Sequence, residues 1–236
     1  MSSIIAEDWL RIFSEWTSKL ALVKRGAESE IRLGYFMGIP AIFKYRVRKP
    51  YMHPKLAQAL VYMRTRREAK VIAYALSRGI QAPRLLAVFP SIGLIVMEYI
   101  EGVTLKDYTN IDQVKAVEYS RVAGRIIGML HKAGVSHGDP TTSNFIVSKS
   151  GELKLIDYGL ADFTEDVEDL AVDIHLYRRA VESTHAGIAY NMYEAFIGGY
   201  KSILGERAEK IIERAKEIRL RGRYVEERRT VWGALR

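Results

Sequence analysis

The chain has 236 residues, of which 48% are hydrophobic and 27% are charged, which is a globular composition and not a disordered one. It contains no cysteine, so a disulfide framework and thiol-based metal or redox chemistry are excluded. The formal net charge is +8, with basic residues clustered at 44–67 and 219–236. This balance fits a nucleic-acid partner, an acidic protein partner or only a solvated surface.

The N-terminal residues lack a signal pattern, and no apolar run of about 18 residues occurs, so we expect a cytoplasmic protein without a membrane partner. The first half of the chain alternates short apolar runs with glycines, which predicts strands. The predicted elements are, in order, an amphipathic helix at 7–17, strands at 20–23, 30–36 and 40–44, a helix at 64–78, and strands at 84–89 and 94–99. The first helix places Trp9, Ile12, Phe13 and Trp16 at helical spacing, and we expect it to pack on the strands.

Beyond Gly102 the pattern becomes mostly helical. Helices are predicted at 112–131, with Asp112 as cap, and at 168–182, 187–204 and 206–220. Five strands with one main helix, followed by a helical half, predict an α+β, two-lobed, protein-kinase-like fold. The expected division is an N-terminal helical extension at 1–19, a nucleotide-binding N-lobe at 20–101 and a catalytic C-lobe with a basic tail at 102–236.

The segment His137–Asn144 places Asp139 and Asn144 five residues apart, and Asp157 follows a hairpin-like strand pair. Protein kinases show this order: a catalytic Asp, a metal-binding Asn, and a second Asp that holds Mg²⁺. Mg²⁺ takes only one or two protein oxygens besides the phosphates of its substrate. The pattern predicts ATP with Mg²⁺ or Mn²⁺, Asp139 as the catalytic residue, and Asn144 and Asp157 as metal ligands. We expect His137 to hydrogen-bond backbone and not to act as a base.

A phosphate-positioning pair is predicted in the first half. Lys44 ends the apolar strand 41–44, where kinases carry the lysine that holds the α and β phosphates. Glu68 is the only acidic residue between Lys44 and Arg84, so it is the local candidate to orient that lysine.

Two further nucleotide contacts are predicted from position. Gly26, Ala27 and Ser29 lie in the loop that would cover the phosphates, although this loop has one glycine where kinases have three. An ordinary hairpin loop is the alternative. Glu98 and Ile100 lie where a kinase hinge offers backbone groups to adenine, and a buried strand leading into a linker is the alternative there.

The chain lacks the long activation segment of protein kinases. Only 160–167 separate the Asp157 turn from the next predicted helix, and no Ala-Pro-Glu motif follows. Little chain remains to form a peptide groove, so the acceptor could be water, an atypical protein site or a small molecule.

With these motifs in hand, the chain resembles the small atypical kinase/ATPase family of the KEOPS (EKC) complex, also called the bud-site-selection kinase family, in its archaeal-type single-domain form. The similarity runs from about Val23 to Gly233. The motifs that carry it are Lys24–Glu28, Arg64–Ala69, Met97–Gly102, His137–Asn144, Ile156–Leu160, Glu168–Asp173 and Arg219–Arg223. Departures are Pro140 and Tyr158, where Leu and Phe are usual, and Ala57, where Asp is common.

The resemblance implies ATP hydrolysis, weak Ser/Thr phosphorylation, and support of the threonylcarbamoyladenosine modification of tRNA. It also implies a threonylcarbamoyl-transferase subunit and other KEOPS subunits as partners. The basic tail of this family is implicated with tRNA, which makes Arg219, Arg221 and Arg223 the candidates here. Two alternatives remain open: a small-molecule kinase of the aminoglycoside type, and a non-catalytic scaffold with a kinase fold that binds tRNA or a partner.

Overall fold

The computed structural model describes residues 12–13, 15–26, 28–47 and 51–233, with side chains described as far as Arg221. Trp9, Ala27 and the side chain of Arg223, all named above, lie outside this description. The chain forms two compact units. Unit 1 comprises the described residues up to Leu76 together with Pro83–Ile100, and unit 2 comprises Ser77–Ala82 and the residues from Glu101 onward.

Unit 1 is built on an antiparallel sheet of order β1-β2-β3-β5-β4. Its strands are β1 Ala21–Arg25, β2 Ser29–Phe36, β3 Ile39–Arg46, β4 Leu85–Phe89 and β5 Leu94–Glu98. Because successive side chains of a strand point to opposite faces, Phe43 packs with Leu94 and Val96 on one face. Ile42 packs with Ile95 on the other face, which is therefore the face of Lys44.

A long helix, α1 Pro54–Ser77, covers the face that carries Lys44, and its Ala69 packs against Ile95 and Met97. The predicted start of this helix near residue 64 was wrong. Proline fits the first helical turn because the N–H it lacks would have no partner there. Leu56 and Met63 are about half exposed, so the apolar residues of the first turns do not mark a single face.

The opposite face of the sheet receives the helical residues before β1. The rings of Phe13 and Phe89 lie 5.0 Å apart, and those of Trp16 and Phe43 lie 6.0 Å apart. This is the packing expected for the N-terminal helix from its aromatic spacing, within the part of it that the structure describes.

Unit 2 is mostly helical. Its elements are β6 Gly102–Thr104, α2 Leu105–Tyr108, α3 Gln113–Lys132, β7 Val135–Ser136, β8 Phe145–Ser148, β9 Leu153–Leu155, β10 Asp162–Phe163, α4 Val167–Thr184, α5 Ala189–Leu204 and α6 Arg207–Gly233. The four predicted helices are present, and Asp112 caps α3 by accepting from the N–H of Lys115 at 3.0 Å. The short pieces β6, α2, β7 and β10 were not predicted, because two to four residues carry no readable periodicity.

Close packing of α3 on α5 holds the helical core of unit 2. A Cβ added to Gly124 would lie 1.9 Å from the backbone oxygen of Phe196, and one added to Gly199 would lie 1.9 Å from that of Arg121. Both positions therefore require glycine, since any side chain would push the two backbones apart. Along the described chain, no helix is long and apolar enough to cross a membrane.

Candidate active site

Unit 1 pairs Lys44 with Glu68 as predicted from the sequence. The Lys44 Nζ lies 2.5 Å from Glu68 Oε1, and their side chains are 6% and 1% exposed. The pairing follows from strand register, because Lys44 lies on the face of β3 that α1 covers. Charges this deeply buried are stable only when they are paired.

Arg46 shares the same carboxylate, which the sequence analysis missed. Its Nη2 lies 2.5 Å from Glu68 Oε2, and its side chain is 6% exposed. This contact could have been predicted from the sequence. Arg46 follows Lys44 by two residues and therefore lies on the same face of β3. The Nε of Arg46 is buried and has no hydrogen-bond partner in the described structure. A buried cluster of this kind suits the binding of an anion such as a nucleotide phosphate.

The predicted phosphate-covering loop connects β1 to β2, and it contains Ala27, which lies outside the described residues. The N–H of Gly26 donates to the backbone oxygen of Ser29 at 2.8 Å. That N–H is therefore engaged within the turn, which favours the ordinary hairpin among the two interpretations of this loop. Ser29 begins β2 and pairs with Arg46 in the sheet register.

At the predicted hinge, the N–H groups of Glu98 and Tyr99 donate to the backbone oxygens of Arg84 and Pro40, at 2.9 and 3.1 Å. The Glu98 carboxylate is buried and bonds Arg84 Nε at 2.5 Å. Neither N–H can donate to a base in this arrangement. In the described structure, the N–H of Ile100 is the hinge donor that remains for adenine.

In unit 2, Asn144 and Asp139 are hydrogen-bonded to each other. The Asn144 Nδ2 donates to the Asp139 backbone oxygen at 2.8 Å and to Asp139 Oδ2 at 2.9 Å. Since both amide hydrogens are used, the amide oxygen is the atom of Asn144 that can meet a cation. Burial raises the pKa of the half-buried Asp139 carboxyl, and the hydrogen bond from Asn144 offsets this only in part.

Asp157 joins this pair through the β8–β9 hairpin. The N–H of Ile156 donates to the backbone oxygen of Asn144 at 2.8 Å, so Asn144 and Asp157 lie at the same open end of the hairpin. Asp157 has a φ of 63°, a left-handed conformation that non-glycine residues hold at a cost and mainly at functional sites.

The donor set fits magnesium. Among the described residues, no group of three or more His, Cys, Asp or Glu side chains could hold a metal ion. A metal bound by Asn144 and Asp157 would need water or phosphate oxygens to complete its shell. Mg²⁺ binds in this way, with few protein ligands and the phosphates of its substrate.

His137 is part of the support of this loop. Its Nε2 lies 3.1 Å from the backbone oxygen of Ile156, and the N–H of Asp139 lies 3.3 Å from its Nδ1. The ring thus donates from Nε2 and accepts at Nδ1, as a neutral imidazole does. Burial lowers the pKa of His137, in agreement with the structural role expected from the sequence.

Asp173 organises the loop and was missed as a site residue. Its Oδ1 accepts from the N–H of Gly138 at 2.7 Å, and its Oδ2 accepts from the N–H of His137 at 2.6 Å and contacts His131 Nε2 at 3.0 Å. Its side chain is fully buried. The sequence did contain a pattern that indicates a buried Asp173. It lies three residues after Leu170 and directly before Ile174, so helical spacing places it on the buried side of α4.

Gly138, between His137 and Asp139, has no tolerable substitute. Its φ is +81°, and an added Cβ would lie 2.8 Å from the backbone oxygen of Leu160.

The residues after Leu160 form only β10, which pairs with β7, before α4 begins at Val167. The short activation segment predicted from the sequence is thereby confirmed.

The basic tail begins on α6 and is paired with acids of α4. Arg219 Nη1 lies 2.5 Å from Glu182 Oε1, and Arg221 Nη2 lies 3.1 Å from Glu168 Oε1. Arg214 also bonds Glu168. Two of the three arginines that the sequence suggested for tRNA thus have carboxylate partners within unit 2.

Comparison of the whole fold with solved structures defines the class. The chain is similar to the Rio2 kinase of Chaetomium thermophilum, solved as an ADP/Mg²⁺-phosphoaspartate complex, with a TM-score of 0.59 at 13% identity, over 90% of this chain and 75% of that one. A family model described as the ABC1 atypical kinase-like domain matches residues 54–187. The fold is that of an atypical kinase, as predicted.

Sequence relatives narrow this class. The chain is 40% identical to the KEOPS complex subunit Bud32 of Pyrococcus abyssi, over 88% of this chain and 97% of the relative. It is 38% identical to a probable serine/threonine-protein kinase BUD32 homolog of Archaeoglobus fulgidus, over 85% of this chain and 95% of the relative. The chain therefore belongs to the Bud32 family of ATP-dependent atypical kinases.

A third relative is longer. The chain is 37% identical to a probable bifunctional tRNA threonylcarbamoyladenosine biosynthesis protein of Methanothermobacter thermautotrophicus, over 87% of this chain but only 37% of that protein. The part that this chain matches is thus joined there to a larger additional segment.

Proposed function

We propose that this chain is the Mg²⁺-dependent ATPase and weak Ser/Thr kinase subunit of a KEOPS complex, where its ATP turnover supports threonylcarbamoyladenosine formation in tRNA. The observation that carries the proposal is the Asp139–Asn144–Asp157 cluster, held at one end of a hairpin in a chain of the Bud32 family. The short segment after Leu160 leaves little chain for a peptide groove, which favours turnover that depends on a partner.

In unit 1, Lys44 would bind the α and β phosphates of ATP. Glu68 holds its ammonium in place, and Arg46 holds the second oxygen of Glu68. Contacts on both oxygens restrict rotation of the Glu68 carboxylate and so restrict the position of the Lys44 ammonium. This positioning lowers the entropy cost of binding the triphosphate.

In unit 2, Asp139 would accept the proton of the attacking water or hydroxyl. Asn144 keeps the Asp139 carboxylate oriented through Oδ2, and its own amide oxygen would hold Mg²⁺ together with Asp157. Bound Mg²⁺ neutralises phosphate charge during transfer. Burial raises the pKa of the Asp139 carboxyl, which makes its carboxylate a better proton acceptor than that of an exposed aspartate.

We infer that the partner is a threonylcarbamoyl-transferase subunit, which the family resemblance implies. In the bifunctional relatives, the part matched by this chain makes up about two fifths of the protein or less. Joining of two segments in one chain is expected when both act together. We infer that the additional segment of those relatives corresponds to a separate partner subunit here.

The test is ATP turnover with and without the transferase partner and tRNA. We expect strong stimulation by both, and loss of Mg²⁺-dependent turnover in Asp157→Asn. Asparagine is the suitable replacement because it tolerates the left-handed conformation at φ 63° while losing the charge. Wild-type turnover by this variant in the presence of the partner would contradict the assignment.

The tail can be tested for tRNA contact by two opposite changes. Arg221→Gln removes a cation, so we expect weaker tRNA binding. The slope of the logarithm of the binding constant against the logarithm of the salt concentration should fall in magnitude by about 1. Glu168→Gln removes the carboxylate that competes for Arg221, so we expect tighter binding. If neither variant changes the affinity across a salt series, Arg221 does not contact tRNA.

A further inference from the structure

His185, the residue that follows α4, connects two threonines that are distant in sequence. Its Nδ1 lies 3.2 Å from Thr109 Oγ1, and its Nε2 lies 3.1 Å from Thr142 Oγ1. All three side chains are buried, and Thr142 is only 1% exposed. Thr142 belongs to the turn 142–144 that supplies Asn144.

The direction of each hydrogen bond follows from Thr109. Its hydroxyl donates to the backbone oxygen of Lys106 at 2.7 Å, so its oxygen must accept from the Nδ1–H of His185. The other ring nitrogen then carries a lone pair and accepts from the Thr142 hydroxyl. Burial and the nearby Lys106 charge lower the pKa of His185, in agreement with this neutral ring.

The turn has little backbone support of its own. The N–H of Thr141 donates to the Asp139 oxygen and that of Asn144 to the Thr141 oxygen, both at 2.9 Å, and no side chain caps the turn. The N–H of Ile156 adds one bond from outside the turn, to the Asn144 oxygen at 2.8 Å, and the other anchors of the turn are side chains. The Thr142 hydroxyl is one such anchor, and its partner is His185.

We propose that His185 is a positioning residue of the active site: through Thr142 it fixes the turn that presents the Asn144 amide oxygen to the metal. The inference rests on the proposed function, in which Asn144 holds Mg²⁺. It is distinct from capping of α4, because the bonds at that helix end involve the backbone N–H and oxygen of His185. A side-chain substitution leaves those bonds in place.

The matched variants are Thr142→Val and Thr109→Val, each of which removes one hydroxyl next to His185 at nearly constant shape. In Thr142→Val, we expect the Mg²⁺ concentration for half-maximal ATP turnover to rise about 10-fold. This is the lower end of the loss in metal affinity that follows when a residue supporting a metal ligand is removed. In Thr109→Val, His185 can move its proton to Nε2 and donate to Thr142, so we expect a change below about 2-fold. Urea unfolding of both variants controls for lost stability.

Substitution of His185 gives a second matched pair. The amide of glutamine reaches about as far as Nε2 and can bond Thr142, whereas that of asparagine reaches only as far as Nδ1 and Thr109. His185→Gln should therefore keep most of the Mg²⁺ dependence of the wild type, and His185→Asn should behave like Thr142→Val. A purely structural histidine would show no such difference between the two amides.

A readout without nucleotide or metal comes from the ¹⁵N resonances of the five histidines, with His185 assigned from His185→Gln. We expect protonated Nδ1 and bare Nε2 in the wild type, and the reverse in Thr109→Val. Rapid exchange between the two tautomers in the wild type would mean that neither threonine holds the ring. That result, or equal Mg²⁺ dependence of Thr142→Val and Thr109→Val, would overturn the inference alone. A wild type without Mg²⁺-dependent turnover would overturn the proposed function as well.

Discussion

Lys44 of unit 1 is held by strand register and ion pairing, whereas Asp139 of unit 2 lies on a loop that is held by hydrogen bonds. In unit 1, opposite charges meet because β3 and α1 are regular elements whose faces are set by their periods. In unit 2, the loop has no such period, so Asp173 on α4 and His185 after it position the loop from outside. Regular elements can place a charge directly, while an irregular loop needs buried partners from other elements.

Glu68→Gln should be the most damaging change, because it removes the carboxylate that binds both Lys44 and Arg46 in a buried site. We expect a loss of about 4 kcal/mol in the free energy of unfolding, as for other buried pairs that lose one partner. Urea unfolding measures it. Adding Lys44→Met to Glu68→Gln removes one of the two charges that have lost this carboxylate and should recover part of the loss. No recovery would mean that the pair is not coupled.

Asp173→Asn tests the hydrogen-bonded loop of unit 2. The N–H groups of His137 and Gly138 and the ring of His131 would lose a charged acceptor, so we expect a loss of about 3 kcal/mol in the free energy of unfolding. Asp169→Asn, an exposed change on the same helix, is the control and should cost less than about 0.5 kcal/mol. Equal effects of the two variants would show that the loop is not held by Asp173.

Tyr158→Phe should have a smaller effect of opposite sign. The Tyr158 hydroxyl is buried without a hydrogen-bond partner in the described structure, and its ring packs edge-on against His137 at 5.0 Å. Phenylalanine keeps the ring contact and removes the unsatisfied hydroxyl. We therefore expect the free energy of unfolding, measured by heat or urea, to rise by about 1 kcal/mol. A loss of stability would show that the hydroxyl has a partner, such as a buried water.

Glu182→Gln should have the smallest effect, since the bond of Glu182 to Arg219 is at the surface. Burial would raise the pKa of Glu182, but hydrogen bonds from Arg219 and Arg178 outweigh it and hold the pKa below its usual value. The pair therefore stabilises the folded chain above pH 4.5, and this contribution is lost as the pH falls through the lowered pKa. We expect about 0.5 kcal/mol at neutral pH and less in about 1 M salt. A difference from the wild type that persists in strong acid would contradict this origin.

Sequence patterns located the residues that we propose to act on the nucleotide, but not most of the residues that support them. Asp139, Asn144 and Asp157 lie within 19 positions of one another and could be recognised by spacing. Asp173 lies 42 positions from His131, and His185 lies 43 positions from Thr142. No local spacing connects such pairs, because they meet only after α4 has packed in unit 2.

The amino-acid sequence by itself determined the order of strands and helices, the atypical kinase motifs, the short activation segment and the Lys44–Glu68 pair, since each depends on local periodicity or on a unique acid. Tertiary structure alone decided that Arg46 shares Glu68, that Asp173 and His185 hold the loop, and that the first arginines of the tail pair with α4. The physical reason is that buried polar groups must find partners, and in a folded chain the nearest partner in space is often remote in sequence.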